Sequence, residues 1–457
     1  MSYLAHGLVG RSDLPIPEWL FGWAAAVVLV VSFVALAVLW PEPRLERDRW
    51  RPLPRGVGRA LTHPVTEVVC GAIGLFLLGV VVWSGLSGIQ TAAANFAPTF
   101  VYVIFWTGLV PVSVLLGDVF RAFNPWRAAG RAVAWVAQRA AGGSLPAPLR
   151  YPEGLGNWPA VAGLFAFVVL ELVSSGGDLP ENVAIATLVY SALTWIAMAL
   201  YGIDAWIDRG EAFSVYFGLF ARIAPFERRD RDVGVRPPLA GLARLRVLPG
   251  TVPFLAVMIG SVTFDGGAEA PLWSNISPDI AGFFEDLGMG AQRALEASYL
   301  VGLTAACLII FGFYRLGVAG AKTVGGGFSA SELAGRFVHS LVPIAFAYVA
   351  AHYLTQLLYQ GQAIWSLASN PLGEQDTDYF GTADRAIDYT VIGATAAWYW
   401  QVGFVVAGHV AALILAHDRA LAIYREAREA VRSQYWLLVV MVGFTSLALW
   451  LLSQANE

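Results

Sequence analysis

Four of the six histidines fall in two apolar stretches: His339 and His352 bracket HSLVPIAFAYVAAH, and His409 and His417 bracket HVAALILAH. A neutral imidazole ligates metals and haem iron, and near neutral pH it also takes up and releases protons. Helical spacing decides which rings can act together. The 13-residue separation of His339 and His352 turns them about 220° apart, onto opposite faces, whereas the eight residues between His409 and His417 turn about 80° and leave them on one broad face. His339 and His352 therefore cannot hold one metal together. At 1.5 Å per residue His352 lies about 19 Å along its helix from His339, and His409 about 12 Å from His417. These two are the histidines expected deep in the apolar layer, and His352 with His409 on the next helix is the pair expected to face one cavity.

Carboxylates extend the set. Glu67 and Glu171 lie inside apolar runs, Asp118 and Asp204 lie near the ends of such runs, and Tyr348 precedes His352 by one turn. An ionisable group in hydrocarbon is costly and marks a cavity, a pathway or a cofactor, the alternative being a packing residue hydrogen-bonded within the bundle. The expected site is His352, His409 and Glu171, with His339 and His417 as further metal or polar candidates. Tyr348, as the group orienting an imidazole, and Asp118, Glu67 and Asp204 are secondary. His352, His409 and a carboxylate suit copper or zinc. A single haem b between the two histidines has to absorb a depth difference of about 7 Å on ideal helices. A protonatable His/Glu pathway fits a proton-coupled carrier. HExxH, CxxC, GxSxG and phosphate-loop signatures are absent, and VGGGF at 324–328 has no Lys-Ser/Thr after it. DTDYFGTADRAID puts Asp376, Asp378 and Gly381 at positions one, three and six of a calcium loop, but Phe380 and Ile387 stand at five and twelve, so it reads as an acidic turn. In LAHG, His6 would chelate copper only with a free amine close before it; 17 residues including Arg11, Asp13, Pro15 and Pro17 precede the first apolar run, which does not read as a cleavable signal.

The elements that position these groups follow from composition. Of 457 residues 57% are hydrophobic and 14% charged, against about 45–50% and about 25% in soluble domains. Ten runs, at about 18–40, 65–87, 98–116, 159–175, 182–203, 248–264, 297–316, 340–360, 393–416 and 436–453, approach or exceed the roughly 20 residues that cross a bilayer as a helix. The fold class is all-α, a polytopic integral membrane bundle in one transmembrane domain spanning 1–457, with the lipid bilayer as its partner. With both termini outside, 26 of the 29 basic residues fall on the cytoplasmic side and only Arg11, Arg293 and Arg385 outside, as the positive-inside rule requires in a bacterial plasma membrane. Sixteen of the 33 acidic residues then lie outside, mostly in loops 265–296 and 361–392. Twenty-eight of the basic residues are arginine and one is Lys322, without a nucleic-acid-binding pattern, and Cys70 and Cys307 have no framework spacing. Ten spans also divide as five plus five, the arithmetic of an inverted repeat. The cytoplasmic stretch from Gly117 to Gly143, with Arg121, Arg127, Arg131 and Arg139 behind Pro125, predicts a helix along the inner leaflet with Trp126 and Trp135 at headgroup depth.

GDVFRAFNPWR (117–127), HSLVPIAFAYVAAHYLTQLL (339–358), FGTAD (380–384) and WYWQVGFVVAGHVAALILAHDRAL (398–421) resemble stretches of a family of actinobacterial integral membrane proteins labelled fenitrothion hydrolase, and the likeness covers most of the chain. The resemblance implies hydrolysis of an organophosphate ester, which needs a water-activating metal. It carries over His339, His352, His409 and His417, and it places AHGLVGR behind a signal sequence where this chain begins MSYLAHG. Three functions are thus expected: a carrier of a cation or small solute, proton- or metal-coupled; a metal- or haem-bearing redox subunit; and a metal-dependent membrane hydrolase.

Overall fold

The computed structural model describes residues 18–142, 146–324 and 327–454; His6 lies outside them. Ten helices are long and apolar enough to cross a membrane, which fits the expected helical bundle. In chain order the helices used below are α1 (Glu18–Leu39), α2 (Pro64–Ser87), α3 (Phe96–Leu116), α4 (Pro125–Ala140), α5 (Trp158–Leu172), α6 (Pro180–Tyr201), α7 (Ala212–Ala221), α8 (Thr251–Ala268), α9 (Ala291–Lys322), α10 (Leu341–His352, the last part of the span Ala330–His352), α11 (Ala394–Ile423) and α12 (Tyr435–Gln454). Proline at the first turn and a side-chain cap start several of them where a missing N–H costs nothing: His63 Nδ1 accepts from Val65 N before Pro64, and Asn124 accepts from Arg127 N before Pro125.

Loops expected on the same side bond to one another, which fixes the alternation of the helices. On the basic side, β1 (Arg51–Pro52), β2 (Phe226–Arg229) and β3 (Asp232–Val235) form a small antiparallel sheet in the order β1-β3-β2. There Glu67 joins α2 to Arg131 at 2.9 Å and to Arg228 at 2.5 Å, and Asp204 lies 3.6 Å from Arg131 and 3.8 Å from Arg121. On the acidic side, Ile89 N donates to Leu372 O at 2.9 Å, Phe96 N to Pro371 O at 3.2 Å, and Ser175 N to Glu296 at 2.9 Å. Asp378 accepts from Thr382 N and Ala383 N there, as an acidic turn does.

Three expectations are corrected. The sixth expected span, α8, runs Thr251–Ala268 rather than 248–264, because the Pro249-Gly250 turn, with Gly250 at φ 89°, starts it later and it continues past Phe264. Asp265 consequently belongs to the bundle and not to an outer loop. Within the expected cytoplasmic segment 204–247, α7 is an apolar helix enclosed by its neighbours, with Ala212, Phe217 and Phe220 at 0% exposure; at ten residues it is about 15 Å long and cannot cross a bilayer. Trp126 is buried at 4%, donates to Ser191 at 2.8 Å and stacks on Phe213, so it is a core residue and not a headgroup anchor, whereas Trp135 is 55% exposed.

Small residues let the helices around the site approach closely, the usual device of helix packing in lipid. Gly260 of α8 faces the Cys307 backbone of α9, where a Cβ would stand 2.6 Å from its Cα. Gly408 of α11 packs on α10, where a Cβ would meet Ala347 and the Pro343 carbonyl at 2.7 Å.

Candidate functional site

The bundle interior brings His352 to a carboxylate that lies beyond the expected sixth span. Its Nε2–H donates to Asp265 Oδ2 at 2.9 Å, and the adjacent Tyr353 hydroxyl donates to the same oxygen at 2.8 Å. His352 and Asp265 are each 6% exposed. Both sit where their helices end: Asp265 is one turn before the end of α8, and α10 stops at His352 as the chain turns at Tyr353 into Leu354–Tyr359. That break lets two consecutive side chains reach one carboxylate, which an uninterrupted helix would have pointed about 100° apart.

Glu171 of α5 is the second acid of the cluster. It lies within electrostatic reach of Asp265, and its Oε2 is buried without a hydrogen-bond partner. Tyr216 of α7, Tyr102 of α3 and Tyr353 all lie within reach of Glu171. Tyr216 stacks on Trp106 with ring centroids 4.3 Å apart, and its hydroxyl is likewise buried without a partner. Tyr102 donates to Gly177 O at 2.6 Å. Residues Thr99–Gly108, which present Tyr102 and Trp106, wind as a π-helix, a form that is rare beyond one turn and concentrates at functional sites. The assembly is two carboxylates, one imidazole and three phenols from five helices, all buried except Glu171, which is half-buried with one oxygen enclosed. Burial makes each charge there expensive unless it is paired, so the group can trade a proton between Asp265 and His352 and hold a proton or a cation at Glu171.

The other predicted residues go elsewhere. His409 is fully buried, its Nδ1–H donates to Val405 O at 2.8 Å in its own helix, and its Nε2 has no hydrogen-bond partner. Tyr348 packs on that ring at a centroid distance of 6.3 Å, but its hydroxyl donates to Phe444 O at 3.2 Å, so it does not orient an imidazole. Among the described residues no three His, Cys, Asp or Glu side chains lie together as metal ligands; the copper or zinc site expected from His352, His409 and a carboxylate is not formed, because His352 is turned to Asp265. His417 is a structural tie: its Nε2–H donates to Trp40 O at 3.0 Å and its Nδ1 accepts from Gln434 Nε2 at 3.2 Å. Beside it Asp418 accepts from Trp40 Nε1 at 2.9 Å and from Leu45 N at 3.1 Å, fastening the end of α1 to α11. His339 is buried against the carbonyls of Leu415 and Arg336. Glu67 and Asp204 belong to the arginine network of the basic face, and Asp118 caps the short helix Val119–Phe123 by accepting from Arg121 N at 3.2 Å.

The chain matches no protein-family model, no curated protein and no solved structure. Function therefore has to be argued from the site.

Asp265 and Tyr353 are the residues the spacing argument missed. The signal for Asp265 was present in SVTFDGGA: beginning the helix after Leu-Pro-Gly at 248–250 carries it through residue 265. Tyr353 had no such signal, since its role depends on the break after His352.

Proposed function

We propose that the protein is a multi-pass carrier of a small solute in a bacterial plasma membrane, driven by protonation of the Asp265–His352–Glu171 cluster. The observation that carries this reading is the 2.9 Å contact of His352 with Asp265 beside a carboxylate oxygen of Glu171 that has no partner. A purely structural pair is satisfied on both sides; here one acid is satisfied and a second, within its field, is left open. Two acids that feel each other's charge in a medium of low dielectric cannot both carry charge at small cost, so a proton or cation arriving at one changes the affinity of the other. Such a pair couples an ion to a conformational change.

Proteoliposomes enclosing a fluorescent pH reporter, challenged in turn with pools of small cations, anions and neutral solutes, test it. One pool is expected to shift the lumenal pH, and Asp265→Asn and Glu171→Gln are each expected to abolish the shift in protein that still elutes as a folded species. If no pool moves protons through the folded wild type, the carrier reading fails. A haem- or metal-bearing subunit is favoured by one observation, the buried and unpartnered Nε2 of His409; a visible spectrum and elemental analysis of the purified protein decide that alternative.

A further inference from the structure

The basic face holds a cavity of about 1040 Å³ between the helix ends and the β2–β3 hairpin. Its wall contains eight arginines against five aspartates and glutamates. Most of these charges pair: Arg121 with Asp208 at 2.5 Å, Arg236 with Glu227 at 2.7 Å, and Arg228 and Arg131 with Glu67, which stands behind them. Of the other four arginines, Arg246 is exposed and Arg209 lies over the Tyr151 ring, which leaves Arg127 and Arg222. The side chain of Arg127 is 9% exposed, its nearest carboxylate oxygens are 3.9 Å and 4.0 Å away, and its Nε is buried without a hydrogen-bond partner. Arg222, at the end of α7, makes one long hydrogen bond, 3.4 Å to Gly241 O. Arg121, Arg127 and Arg131 also crowd one another with like charge.

α7 forms the floor. Val215, Gly218, Leu219 and Arg222 line the cavity at the spacing of one helix face, while Tyr216 on the same helix turns to Glu171. Leu116, Phe226 and Phe254 supply apolar wall between the guanidinium groups. A small inorganic anion would leave most of 1040 Å³ empty. Guanidinium forks match the oxygens of phosphate in bidentate fashion, and a partly buried guanidinium that no acid engages at hydrogen-bond distance is compensated by such a ligand.

We propose that this cavity binds a phosphate-bearing molecule with an apolar portion, seated on Arg127 and Arg222. The proposal stands apart from the proton site, since it concerns different residues, on the basic side of the bundle. The same chemistry is offered by the headgroup of an anionic lipid and by a free phosphate ester, and the test separates them. Pyrophosphate and, in a second titration, short-chain phosphatidic acid are added to protein purified in neutral detergent, with short-chain phosphatidylcholine as the zwitterionic control. Saturable binding of at least one anion, and none of the control, is expected; pyrophosphate binding identifies a free phosphate as sufficient, and binding of phosphatidic acid alone identifies a lipid headgroup. Arg222→Gln and Arg127→Gln are each expected to raise the Kd tenfold or more. Because either variant can fail to fold, the wild type is also treated with an arginine-specific dicarbonyl and mapped by peptide mass spectrometry: the bound anion should protect Arg127 and Arg222 and leave Arg385 on the acidic face unprotected. Absence of saturable binding of either anion, unchanged Kd in both folded variants, or equal modification with and without ligand overturns the proposal.

Discussion

Among individual residues, the buried polar side chains of this bundle divide into those whose polar atoms are all used and those that leave one open. His417 uses both ring nitrogens, on Trp40 and Gln434, and Asp418 spends its oxygens on the 40–45 segment. Glu171 and Tyr216 each keep a buried oxygen without a partner. Asp118 shows the same distinction outside the spans. It caps a helix and is open to the basic-side cavity, yet the protein packed around that cavity holds its carboxyl above the ordinary aspartate range, an effect that Arg121 only partly offsets. The folded protein thus holds that proton more tightly than the unfolded chain. Its contribution to stability is present below the ordinary aspartate range and is lost as pH rises through the raised value. Asparagine keeps the cap and removes the charge. Asp118→Asn should therefore melt with the wild type in mildly acidic detergent solution and above it in mildly alkaline solution; a gap that stays constant or opens toward acid would contradict the assignment.

Elements, in turn, hold the cluster together by proximity of backbone. α10 and α11 touch through Gly408, and α8 and α9 through Gly260, so the depth at which Asp265 meets His352 is set by how near the helices can come. Adding a branched side chain at Gly408 forces α10 outward against the Pro343 carbonyl. Overpacking of this kind costs about 1–3 kcal/mol. Gly408→Val is expected to lower the chemical-unfolding free energy in mild detergent by that amount and to weaken the proposed proton-coupled transport with it, although Gly408 meets Ala347 and Pro343 rather than Asp265 or Glu171. A variant as stable as wild type would show that the helices are held apart by something other than this contact.

For the molecule as a whole, orientation is fixed by charge. The loops carrying 26 of 29 basic residues are predicted to face the cytoplasm, and bonds such as Arg229 to Asp48 at 2.7 Å and Ile89 to Leu372 at 2.9 Å keep each set of loops on its own side. In a Cys70→Ser background, cysteine at Asn275 or Glu374 should react with a membrane-impermeant thiol reagent in intact cells. Cysteine at Arg231 should react only after lysis. The reverse pattern would invert the molecule, and with it the side on which the arginine-lined cavity opens.

Much of this was legible in the sequence, because the bilayer leaves few options. A backbone in hydrocarbon must satisfy its own hydrogen bonds, so ten apolar runs of sufficient length become ten helices, and the asymmetry of arginine orders their ends. His352 was marked as a buried polar group for the same reason. Its partner was not legible, since Asp265 is 87 residues away and a shift of one helix start moved it from loop to bundle. The role of Tyr353 required the break at the end of α10, and the burial of α7 required a bundle with room for a helix too short to cross. Local periodicity and transfer free energy determine which segments enter the apolar layer. Which carboxylate meets which imidazole is decided only when non-neighbouring helices pack, because that choice depends on side-chain volume and helix breaks at contacts far apart in the chain.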